Sequence, residues 1–129
     1  MGLLADHVHR PAASAWWESD TSATIAFCRS TQISVLRLLT TAAAMNGKPL
    51  TMRQAWQAYD RLFEDDRVAL WREPDAFETE FRRLVSAGTA SPKMWADAYL
   101  VAFAICTKAI VVTFDRALEN RGAQCRILR

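Results

Sequence analysis

Apolar and polar positions along this chain alternate between a helical and a strand-like period, and the switches mark out the elements. PAASAWWE, Pro11 to Glu18, reads as a short helix, with Pro11 suited to a first turn. TIAFCR, Thr24 to Arg29, reads as a strand. Ser30 or Thr31 can cap the helix TQISVLRLLTTAAAM, in which Ile33, Leu36, Leu39 and Ala43 form an apolar stripe. Asn46-Gly47-Lys48-Pro49 is a break. Thr51 caps a third helix through Asp65, with Ala55, Trp56, Tyr59, Leu62 and Phe63 at helical spacing. Arg67 to Trp71 is a short strand, and Asp75 caps a helix that ends before Gly88. Ser91 and Pro92 open a long apolar helix, Ala109 to Phe114 is the clearest strand, and Cys125 to Leu128 is the last. Strands separated by helices indicate an α/β domain with a parallel sheet covered on both faces. Such a domain usually opens on a central strand, whereas Met-Gly-Leu-Leu-Ala is short and poor in β-branched residues.

Composition narrows the class without naming a function. The 129 residues suit a single domain, residues 1–129, and 51% hydrophobic with 23% charged residues is ordinary globular usage. A net charge of +2 does not by itself imply nucleic-acid binding. From Lys108 onward, however, five basic residues stand against two acidic ones, enough to neutralise a few phosphates if not simply a solvated face. Cys28, Cys106 and Cys125 cannot all pair within one chain and show no zinc-ligand spacing, so a reducing cytoplasm is expected. The longest apolar run, Ala98 to Cys106, is too short to span a membrane, and the first residues lack the marks of a signal peptide.

Two carboxylates stand out against this background. Asp97 interrupts an otherwise apolar run, and Asp115 ends a β-branched one. A buried carboxylate costs several kcal/mol, of the order of 3–5, unless something pairs with it, and a shared divalent cation is the most economical partner. Ligands of open parallel sheets bind beyond the carboxyl ends of the strands. Asp115 follows a strand there, Gln32 opens a helix at the same edge, and Asp97 lies about one and a half turns into its own helix. Each also has a plain reading: Asp97 as a complement to the helix dipole, Asp115 as a turn residue, Gln32 as a helix start. The His7/His9 pair reads as exposed loop, and Glu64-Asp65-Asp66 as a solvated helix end. Trp16, Trp17, Trp56 and Trp95 sit at helical spacing as core or partner-facing residues rather than a base-stacking platform. There is no Gly-rich phosphate loop, no GxSxG elbow and no Cys–His arrangement, so nucleotide-cofactor chemistry and covalent catalysis find little support.

The stretches TQISVLRLLT, SPKMWADAYLVAFA and IVVTFDRAL, with HVHRPAASAWW near the start, resemble PIN-domain proteins, specifically the VapC-type toxins of toxin–antitoxin pairs. The resemblance runs from about His7 to Leu128 in the family's order. It implies a three-layer α/β/α sandwich with a central parallel sheet, and an endoribonuclease using Mg²⁺ or Mn²⁺ held by acidic residues. Asp97 and Asp115 match family metal-binding acids, and Thr113 is a hydroxyl placed to orient Asp115. Gln32 corresponds to an acid that many relatives carry at a helix start. The family's first, central strand, ending in Asp-x-Asn, has no counterpart, so the domain is expected to be N-terminally shortened; Asp6 falls in a loop instead. The implied partners are an RNA substrate, a cognate antitoxin and a second copy of the chain, with no membrane. The alternative is a catalytically impaired binding module that only pairs with an antitoxin or with itself. A phosphoryl-receiving domain is disfavoured, because no later strand ending in Lys follows one ending in Asp.

Overall fold

A parallel strand pair cannot be closed by a tight turn, and the chain supplies the long helical crossover it needs. The computed structural model describes residues 10–19, 24–86, 88–113, 122 and 125–127. The described residues up to Arg72 form one compact unit, and those from Glu73 to Ile127 a second.

In the first unit α1 (Arg10–Ser19) precedes β1 (Ile25–Phe27), α2 (Arg29–Leu39), a short 3-10 helix (Ala43–Met45), α3 (Met52–Leu62) and β2 (Val68–Leu70). β1 and β2 run parallel, Ile25 opposite Val68 and Phe27 opposite Leu70. Their apolar residues join Val35 and Leu39 of α2 and Ala55 and Tyr59 of α3 in a continuous core. Phe27, Tyr59 and Phe63 form its aromatic centre, with ring centroids 5.0–6.1 Å apart.

Local chemistry sets the boundaries of α2. The strand ends earlier than expected, so Cys28, not Ser30 or Thr31, is the N-cap. The Thr31 hydroxyl folds back, accepting from the Cys28 N–H (2.8 Å) and donating to the Cys28 carbonyl (2.9 Å). The helix stops at Leu39 instead of continuing to Met45. Thr40 and Thr41 turn their hydroxyls onto the Leu36 and Arg37 carbonyls, competing with helix continuation. The buried face also differs from the expected stripe: Thr31, Gln32, Val35 and Leu39 point inward, while Ile33 is 50% exposed. Thr51 does cap α3, in a reciprocal box with Gln54. Asn46 in the left-handed region and Gly47 at φ 79° make the expected break.

Asp65 is not a freely solvated acid. Arg67 donates to it from Nε (3.0 Å) and Nη2 (2.7 Å), and from Nη1 to the Trp17 carbonyl (2.6 Å). The same guanidinium lies 5.4 Å from the Trp17 ring centroid, so one side chain ties α1 to the turn before β2.

The second unit contains α4 (Phe77–Leu84), α5 (Met94–Thr107), β3 (Val111–Thr113) and β4 (Cys125–Ile127), the two strands again parallel. Ala76, not Asp75, caps α4. Phe77 and Phe81 of α4 pack on Tyr99 of α5, with centroids 4.9 and 6.3 Å away. Val101, Ala102, Phe103 and Ala104 bury the middle of α5, which Lys108 ends in the left-handed region. Helices alternating with parallel strands bear out the α/β reading. Among the described residues no helix is long and apolar enough to cross a membrane.

Candidate functional site

The apolar sequence of α5 decides how Asp97 is presented. A turn closed by the Met94 N–H on the Ser91 carbonyl (3.0 Å) holds Ser91, Pro92 and Lys93 outside the helix. Asp97 therefore stands in the first turn rather than one and a half turns in. It is half-buried, next to fully packed Ala98, while Trp95 is 58% exposed. A carboxylate in this turn complements the positive end of the helix dipole.

Gln32 takes the equivalent place on α2, four residues beyond the N-cap. Its N–H makes the first helical bond, to the Cys28 carbonyl (2.9 Å), and its side chain is only 5% exposed. The Gln32 Oε1 accepts from Arg29 Nη1. Gln32 belongs to the first unit, Asp97 and Thr113 to the second. Thr113 is the last residue of β3. Asp115, Asp6, His7 and His9 lie outside the described residues, as do the positions where an opening strand would fall.

Both candidate metal ligands, Asp97 and Asp115, are carboxylates and offer only oxygen. That is the donor chemistry of a hard divalent cation such as Mg²⁺ or Mn²⁺, and it does not suit zinc or copper. The residues fit such an ion in kind. Among the described residues there is no group of three or more His, Cys, Asp or Glu side chains able to hold one.

Helical spacing places Tyr59 among the apolar residues of α3 and marks no function for it. Its ring is core, but its hydroxyl is a buried polar atom without a hydrogen-bond partner. Burial pushes the hydroxyl pKa above its ordinary value, opposed by the Gln32 side chain, which lies alongside without full hydrogen-bonding geometry, and by the Arg29 charge. An orphaned buried hydroxyl costs about 1–3 kcal/mol. Helical spacing predicts the burial of Tyr59; nothing in it marks the hydroxyl as unpaired. Trp16 and Trp17 pack partly buried against the core, in line with core places, whereas Trp56 and Trp95 are exposed.

Comparison with known proteins bears on the whole chain. The family model for the PIN domain matches residues 1–123. Ribonuclease VapC41 of Mycobacterium tuberculosis is 42% identical over 124 residues, spanning 92% of this chain and 85% of the relative. The same holds for that protein in both strains, CDC 1551 / Oshkosh and ATCC 25618 / H37Rv.

Proposed function

Because this chain belongs to the PIN-domain family, we propose that it is a divalent-metal-dependent endoribonuclease toxin neutralised by a cognate antitoxin. The observation that carries the reading is the 42% identity to a ribonuclease along nearly the entire chain. Asp97 and Asp115 would hold the Mg²⁺ or Mn²⁺ ion. When bound, the ion supplies charge neutralisation and a more acidic water for phosphodiester cleavage. Asp97 is suited to its part because the first turn of a well-packed helix fixes its backbone while the side chain stays half-open. Thr113 ends β3 two residues before Asp115 and would orient that carboxylate. Gln32 brings an amide without charge, so it would position a water or a substrate oxygen instead of strengthening ion binding.

The test compares RNA cleavage in Mn²⁺ by the wild-type chain, Asp97→Asn and Asp115→Asn. Each substitution keeps the shape and removes the charge. The expected loss is about a hundredfold or more, beyond the roughly 10–100-fold that outer-shell residues of metal sites cost. Equal cleavage by all three proteins removes both residues from the mechanism. Addition of a chelator is expected to abolish cleavage by the wild-type chain. Co-expression with the product of the adjacent gene is expected to yield a complex without RNase activity, and recovery of this chain alone, still active, would count against neutralisation. A second copy of the chain is a further partner on this reading, and size-exclusion chromatography with light scattering tests it.

A further inference from the structure

The start of α2 is a place built from donors. Its first turn contains no acidic residue, and Arg29 stands exposed at its opening. The backbone N–H groups of Arg29 and Ser30 have no acceptor within the helix. A helix start is not by itself a site, and the independent observation is the Tyr59 hydroxyl. It belongs to a residue 4% exposed, has no hydrogen-bond partner, and has Gln32, Arg29 and Cys28 as its polar surroundings, with Asp60 on its own helix. Buried hydroxyls without partners are rare in folded proteins and call for an explanation. Gln32, equally buried, gives its Oε1 to the Arg29 guanidinium.

The geometry points to a phosphate subsite at this end of α2, in which Arg29 leaves Gln32 to pair with a phosphodiester of the RNA strand and the Tyr59 hydroxyl replaces it as donor to Gln32. In the free protein one donor is engaged and the other is left over. In the bound protein both are used: the guanidinium forms charge-assisted bonds to phosphate oxygens, and Gln32 keeps a partner. The free N–H groups at the helix start and its dipole favour the same anion. With the Gln32 Oε1 taken by Arg29 or Tyr59, the groups left to a ligand here are donors, which suits an anion and not a metal ion and separates the role of Gln32 from that of the carboxylates. Tyr59 is then a positioning residue acting through Gln32. The RNA strand as carrier of the phosphate rests on the ribonuclease reading; the subsite does not.

The experiment titrates the full-length chain with inorganic phosphate, following the Arg29 Nε–H and Gln32 side-chain amide signals by NMR. It also titrates an RNA oligonucleotide in EDTA by fluorescence anisotropy. Arg29→Gln is compared with Arg37→Gln, an equal loss of charge at an exposed position near the far end of the same helix. Phosphate is expected to shift both signals in the wild type and in Arg37→Gln, with about tenfold weaker binding in Arg29→Gln. Tyr59→Phe is expected to melt no lower than the wild type, because it removes an unpaired hydroxyl, and yet to bind phosphate several-fold more weakly. A residue that only fills the core would leave binding unchanged. If Tyr59→Phe fails to fold, the contrast between the two arginine variants decides. Wild-type binding of both phosphate and RNA by Arg29→Gln overturns the subsite while leaving the ribonuclease reading intact. A phosphate response without any RNA binding overturns RNA as the source while the subsite stands, and cleavage in Mn²⁺ decides the ribonuclease reading separately.

Discussion

Single side chains on this protein are defined by what their neighbours leave unpaired. Asp65 illustrates a satisfied group. The hydrogen bonds from the Arg67 side chain and backbone lower its pKa from 3.8 to about 2. A carboxylate whose folded pKa is depressed contributes stability above its unfolded value, near 3.9, and loses it as pH falls through the folded value. Asp65→Asn is therefore expected to lower the urea midpoint at pH 5 and above. The two proteins should converge as pH falls from about 4 to about 2, and parallel curves over that range would show that the pairing contributes nothing. Tyr59 illustrates the opposite case, a hydroxyl that the folded chain leaves without a partner. Both positions were visible as letters in the sequence. The pairing of one and the isolation of the other depend on residues brought close only by folding: Trp17, for example, lies fifty positions from Arg67 in the chain.

At the scale of elements, the interior of each helix was easier to read than its ends. The apolar run of α5 and the spacing of Ala55, Tyr59 and Leu62 in α3 are properties of the chain itself, and both appear as helices. Ends are settled by side-chain bonds of about 1 kcal/mol each, which several adjacent residues can make equally well. Thus Thr31 bonds the start of α2 from within the helix while Cys28 occupies the cap, and Thr40 with Thr41 stops it early. The expected strand from Ala109 shrinks to Val111–Thr113 among the described residues, with Ile110 56% exposed. The cap that was read correctly offers a clean test. Thr51 Oγ1 accepts from the Gln54 N–H (3.1 Å), and the Gln54 side chain accepts from the Thr51 N–H (2.9 Å). Thr51→Ala removes the first of these bonds at an exposed position and is expected to cost about 1 kcal/mol. Chemical denaturation measures it, and an unchanged midpoint would mean that water serves the Gln54 N–H as well.

For the whole molecule, charge sets how RNA would be held. A net charge of +2 gives little long-range attraction, so binding would depend on stretches of the chain rich in basic residues, such as the five from Lys108 onward. Single-stranded RNA binding should weaken with salt at a slope of about −0.7 per phosphate contacted. Contacts by all five of those residues would make the slope about −3.5, and a clearly steeper one would require further cations, Arg29 among them. Measuring affinity across a salt series in EDTA reads this number without cleavage. By itself the sequence determined the α/β class, the family and the candidate carboxylates Asp97 and Asp115, because hydrophobic period, family motifs and acid-in-apolar contrast are local properties of the chain. Only the tertiary structure decided that Asp97 stands in the first turn of its helix and that Gln32 is buried against Arg29. It alone left the Tyr59 hydroxyl without a partner, because burial and hydrogen-bond pairing depend on which distant side chains share a space.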